Sequence, residues 1–111
     1  MPKLCVLKEN KEFRGAYYRG KALVHPVLII YVRKNRYGTA RIGITTGKKV
    51  GKAVQRNRCR RIIREAFRQL LPEVKSGYDY VFVARAATVA KTSTELYRVM
   101  REQLKKAGHV S

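Results

Sequence analysis

At 111 residues, 45% of them hydrophobic, the chain has material for a single core and little excess, which excludes a disordered or multi-domain chain. It carries 26 Lys and Arg against 7 Asp and Glu, a formal charge of +19. A folded body this small holds that surplus on its surface, where a polyanion relieves the self-repulsion, so residues 1–111 read as one nucleic-acid-binding domain.

Lys8 and Glu9 interrupt the N-terminal segment before a secretory apolar region can form. Leu7, Phe13, Ala16 and Tyr17, with Gly20 behind them, predict a short amphipathic helix over residues 7–19. Residues 22–32 are apolar and β-branched, and Pro26 within them marks an edge, a bulge or the junction of two short strands. The apolar run from Val27 to Val32 is six residues long, far below the ~20 that span a bilayer. Over residues 39–45, Ala40, Ile42 and Ile44 alternate with Arg41, Gly43 and Thr45, the period of a half-buried strand. The polar run Arg33 to Gly38 before it predicts a hairpin. Cys59, Ile62, Ile63, Ala66, Phe67, Leu70 and Leu71 repeat at helical spacing in a helix that begins near Lys52 and ends at Pro72 or just before it. Residues 78–84 form another strand; a final helix follows, capped by Thr92 and Glu95 and closed by Gly108. Helix, strands, helix, strand, helix give an α/β (α+β) sandwich, a small sheet covered by helices, with a right-handed crossover as the default.

Charge concentrates in one place. Residues 48–68 hold nine basic side chains, Lys48, Lys49, Lys52, Arg56, Arg58, Arg60, Arg61, Arg64 and Arg68, against the single acid Glu65. At about 100° per residue, Asn57, Arg60, Arg61, Arg64 and Arg68 share the face opposite Cys59, Ile62, Ala66 and Leu70. A merely solvated helix interleaves Glu with Lys at i, i+4, since like charges so placed repel by a few tenths of a kcal/mol. Here arginine follows arginine, and the guanidinium fork is suited to phosphate and to bases.

Neither a helix-turn-helix, a zinc finger nor a heptad zipper is visible, so duplex DNA is not the expected partner and RNA is. Phe13, Tyr17, Tyr18, Tyr31 and Tyr37 are rings on which unpaired bases can stack, although Phe13 and Tyr17 at helical spacing also read as packing residues. No Ser/His/Asp set, converging carboxylates or Walker loop supports an autonomous nuclease. Cys5 and Cys59 are far apart and His25 and His109 scattered, which argues against a zinc site and suits reduced, cytoplasmic thiols. A basic ribosomal structural protein fits the same composition.

The run from Lys48 to Phe67, with Arg56-Asn57-Arg58 at its centre, closely resembles the signature of the protein subunit of bacterial ribonuclease P. The likeness extends to the Leu7 to Phe13 approach, Tyr17, Gly20, Tyr31, Arg41-Ile42-Gly43 and the stretch Tyr78 to Arg85. It implies an αβββαβα order with a left-handed crossover through the signature helix. It further implies a cytoplasmic subunit that assists a catalytic RNA in removing the 5′ leader of precursor tRNA, with Mg²⁺ required by that RNA. By resemblance, Lys52, Arg56, Asn57, Arg58, Arg60, Arg61, Arg64 and, continuing the face, Arg68 meet the ribonuclease P RNA. Phe13, Tyr17 and Tyr31, with Lys48, Lys49 and Arg85 beside them, line the leader cleft. Gly47 stands where many relatives carry a hydroxyl residue, Arg60 where lysine is frequent, and Tyr17 where phenylalanine is common.

Overall fold

The computed structural model describes residues 4–110 and opens on a two-residue strand, Cys5–Val6 (β1), too short for any periodicity to mark. Leu7 extends this pairing by donating its N–H to the Ile42 carbonyl at 2.8 Å, so it lies outside the first helix, which is confined to Asn10–Arg19 (α1). Pro26 turns out to be the junction: Lys21–Val24 (β2) and Leu28–Lys34 (β3) are separate strands. His25 serves that turn, its Nδ1 accepting from the Val27 N–H at 3.0 Å. Arg41–Thr45 (β4) is shorter than the expected 39–45 and leads through a single 3₁₀ turn, Lys48–Val50, into Ala53–Leu70 (α2). Tyr78–Ala84 (β5) and Ser93–Lys106 (α3) complete the chain. The cap of α3 is reciprocal, Thr92 Oγ1 accepting from the Glu95 N–H at 3.2 Å and Glu95 Oε1 from the Thr92 N–H at 3.1 Å.

The sheet runs β1-β4-β5-β3-β2, with β1 and β5 parallel to β4 and the β5–β3 and β3–β2 pairs antiparallel. This corrects the hairpin expected across Arg33 to Gly38, because β3 and β4 are not neighbours and β5 lies between them. The physical reason is burial: β5 is covered on both faces along most of its length, and only a central position satisfies that. The polar loop therefore straps the start of β5. Asn35 donates its N–H to the Gly77 carbonyl at 2.8 Å and its Nδ2 to Asp79 Oδ1 at 2.8 Å, while Gly38 turns the chain at φ 68°.

One sheet face packs on α2 and α3 through Ile30, Ile42, Phe82 and Tyr80 against Ile63, Phe67, Leu96, Met100 and Leu104. The other face carries α1, whose Ala16 packs with Leu7 and Val81. Gly43 permits this contact, since a methyl group there would come within 2.8 Å of the Phe13 ring. The Cα radius of gyration, 12.8 Å, is that of a single compact body of this length.

His109 sits edge-on to Tyr78 and Tyr80, with ring centroids 4.6 and 5.8 Å away. Burial, helped by Lys75 and Lys21, holds its imidazole below the ordinary value. The unfolded chain then binds that proton better, so stability is expected to fall as the pH drops below about 6.5. Urea midpoints measured on either side of that pH check it, and His109→Gln should flatten the difference.

Candidate nucleic-acid interface

The helix α2 divides cleanly. Cys59, Ile62, Ile63, Ala66, Phe67 and Leu70 are buried, whereas Lys52, Asn57, Arg60, Arg61, Arg64 and Arg68 are exposed. The entry is fixed by Gly51 at φ 141° and by the Lys52 N–H donating to Gln55 Oε1 at 2.7 Å. Arg60 donates to Asn57 Oδ1 at 3.1 Å and Arg68 pairs with Glu65 at 3.2 Å. Arg61 and Arg64 have neither an ion pair nor a hydrogen bond among the described residues. Guanidinium groups so placed keep their donors for a ligand.

Two signature arginines are placed differently from the rest. Arg56 is half-buried and donates from Nη1 to the Gly51 carbonyl at 2.9 Å, bracing the helix entry. Arg58, also half-buried, donates from Nε to the Val89 carbonyl at 3.1 Å and from Nη2 to the Lys91 carbonyl at 2.9 Å. It thereby ties α2 to the segment that leads into α3. Arg58→Ala is expected to cost about 2 kcal/mol of stability, two charged hydrogen bonds being lost. Arg61→Ala should leave the urea midpoint unchanged. Equal midpoints for the two variants would refute this division of labour.

On the opposite sheet face the strands align side chains in rows. Tyr31, Val81 and Gly43 form the middle row, under α1; Ile29, Val83 and Thr45 form the next, toward one sheet end. Tyr17 meets Tyr31 edge-on at 5.0 Å, and its hydroxyl lies 2.7 Å from Thr45 Oγ1. Phe13, Tyr17 and Tyr31 are therefore one half-buried cluster, beside which Ile29, Val83 and the 66% exposed Val24 leave an apolar shelf. Lys48 and Lys49 follow β4 and Arg85 follows β5; as these strands are parallel neighbours, all three exposed cations lie off the shelf's end. Arg85 donates to the His25 carbonyl at 3.2 Å.

Comparison with known proteins decides what carries this pair of surfaces. The family model described as Ribonuclease P matches residues 1–108. The chain belongs to the ribonuclease P protein family. It is 44% identical over 103 residues to the ribonuclease P protein component of Clostridium botulinum (strain 657), covering 92% of this chain and 93% of that one. It is 43% identical over 104 residues to the component of Clostridium kluyveri, with the same shares covered. The Staphylococcus aureus RNase P protein superposes with a TM-score of 0.85 at 27% identity, over 98% of this chain and 100% of that one. The Thermotoga maritima protein does so with 0.69 at 30%, over 91% and 92%. These relatives set aside the ribosomal reading that size and basicity alone allowed.

Within the ribonuclease P fold, the geometry adds contacts that the sequence pattern did not show. Thr45 orients the Tyr17 ring. Arg41 is clamped by Asp79, with Nε to Oδ1 at 2.8 Å and Nη2 to Oδ2 at 2.9 Å, and by Glu12 at 2.8 Å. The hydrogen bond to Asp79 raises the Arg41 pKa further above an already basic value. Because Asp79 and Glu12 are 67 residues apart in sequence, only the alternation of β4 hinted that Arg41 faces α1.

Proposed function

We propose that the chain binds the ribonuclease P RNA through the outward face of α2 and the single-stranded 5′ leader of precursor tRNA through the cleft beside α1. Hydrolysis of the leader then belongs to the RNA. The observation that carries this reading is the pair of unpartnered guanidinium groups, Arg61 and Arg64, at the middle of a face that also presents Lys52, Asn57, Arg60 and Arg68. A strand of phosphates satisfies them together, and crowding like charges at i, i+4 is otherwise unfavourable. Arg56 and Arg58 hold that face in place from within.

The cleft supports leader binding in a different way. Leaders vary in sequence, so a clamp for them needs ring faces and cations rather than base-edge contacts, and Tyr17, Tyr31, Lys48, Lys49 and Arg85 provide those. Mg²⁺ is assigned to the RNA in this reading. Among the described residues no three His, Cys, Asp or Glu side chains gather where they could hold a metal ion. No helix among the described residues is long and apolar enough to cross a membrane, and a cytoplasmic site of action accords with the buried Cys59, which is in no disulfide.

Tyr17→Ala is expected to weaken leader-bearing precursor tRNA by about 1–3 kcal/mol, the worth of one stacked base, and to leave mature tRNA unaffected. Tyr17→Phe, which loses only the contact to Thr45, should retain most of the affinity. Equal losses on both RNAs would make the ring a packing residue only. The whole reading is tested by incubating the protein and precursor tRNA in Mg²⁺ with and without the cognate RNA. Cleavage confined to the tube with RNA is expected; cleavage by the protein alone contradicts it.

A further inference from the structure

The row of the sheet on the far side of α1 from the leader cleft is built of charge: Arg33, Asp79 and Arg41 lie abreast on β3, β5 and β4. Between that row, the exposed flank of α1 and the β3–β4 loop opens a cavity of about 730 Å³, within the size range of small-ligand sites. None of the leader-cleft residues lines it.

Its two acids are already engaged. Asp79 is held by Arg41 and Asn35, and Glu12 by Arg41. The remaining cations on its wall include Arg14, Arg33, Lys34 and Arg36, and none of these four has an ion pair or a side-chain hydrogen bond among the described residues. Arg33 is the telling member because it is half-buried, where an unpaired guanidinium is costly. Its guanidinium lies against Gly15 of α1, where a methyl group would meet the movable end of the arginine side chain.

Two rings stand at the rim. Tyr18 is 86% exposed and Tyr37 65% exposed, and one face of Tyr37 is occupied by the Arg41 guanidinium at 4.1 Å, which fixes the ring and leaves its other face to solvent. A fixed ring beside an unpaired guanidinium is the pairing that receives an unpaired nucleotide, base on ring and phosphate on cation. We propose that this cavity is a second single-stranded RNA subsite, separate from the leader cleft and from the α2 face, with Arg33 taking a phosphate and Tyr37 a base. The proposal rests on the reading of the chain as an RNA-binding subunit. The strand it holds is either leader that has passed over α1 or an unpaired segment of the catalytic RNA; the chemistry required is the same.

Photo-crosslinking separates these cases. The full-length protein is assembled with the catalytic RNA and precursor tRNA, 4-thiouridine being placed in one RNA at a time, and crosslinked peptides are mapped. A crosslink at Tyr37 or Tyr18 is expected, and the labelled RNA that yields it identifies the strand. Arg33→Gln and Tyr37→Ala should each weaken that RNA by roughly tenfold, Arg33→Gln also lowering the salt slope by about one unit. Tyr37 lies on an exposed loop, so its variant remains informative if Arg33→Gln folds poorly. Crosslinks confined to α2 and the Tyr17–Tyr31 cleft would overturn this subsite and leave the proposed function standing; crosslinks nowhere on the chain would overturn both. Affinities unmoved by Tyr37→Ala would also overturn it, whatever Arg33→Gln does, because charge alone explains a loss at Arg33.

Discussion

Replacing Asp79 with alanine is expected to lower the unfolding free energy by about 3 kcal/mol, among the largest effects of any single polar substitution in this chain. The Asp79 residue is only 5% exposed and accepts from Arg41 twice and from Asn35 once. Without it, the Arg41 side chain, itself 15% exposed, keeps only Glu12, and the loop that straps β5 loses its anchor. Because Glu12 remains, the cost falls at the lower end of what breaking a buried pair produces. The urea midpoint should fall with an unchanged slope, as for a folded protein that has lost stability without changing its compactness. A midpoint within error of the parent would mean that the pair contributes nothing net.

The second large effect concerns binding. Removing Arg60, Arg61 and Arg64 together, as alanines, is expected to weaken the catalytic RNA on the order of a hundredfold or more at moderate salt, and to reduce the slope of log K against log salt by about three units. Counterion release sets that slope: each phosphate contact returns about one condensed ion to solution. All three side chains are exposed, and none reaches the core. Stability should therefore hold or rise slightly as like-charge repulsion along α2 is relieved. A lost affinity with an unaltered salt slope would indicate disturbed folding rather than lost phosphate contacts.

Much of this was legible in the residues. The strand Tyr78–Ala84 and the caps of α3 follow from local pattern alone, and the division of α2 into a buried and a basic face follows from helical spacing. What could not be read is non-local. The polar loop after β3 looks like a hairpin because hairpins are the cheapest local connection, yet β5, arriving some 40 residues later, displaces that pairing by burying both its faces. Arg58 flanks the buried stripe rather than opposing it, and only the position of the Val89 and Lys91 carbonyls turns it inward. The contact of Arg33 with Gly15 is silent in sequence for the same reason: the two residues come from different elements. Phe13 and Tyr17 show helical spacing, which is equally the mark of packing, and only the fold reveals that they meet Tyr31 and Thr45 beside an open shelf.

The central claim is that the outward face of α2 lies against the catalytic RNA. A photoreactive benzophenone side chain at position 61 or 64, in particles reconstituted with that RNA and precursor tRNA, tests it directly. Crosslinks from both positions to the catalytic RNA are expected, and should vanish as salt dissociates the particle. Crosslinks to precursor tRNA alone, or none from an intact and active particle, would contradict it.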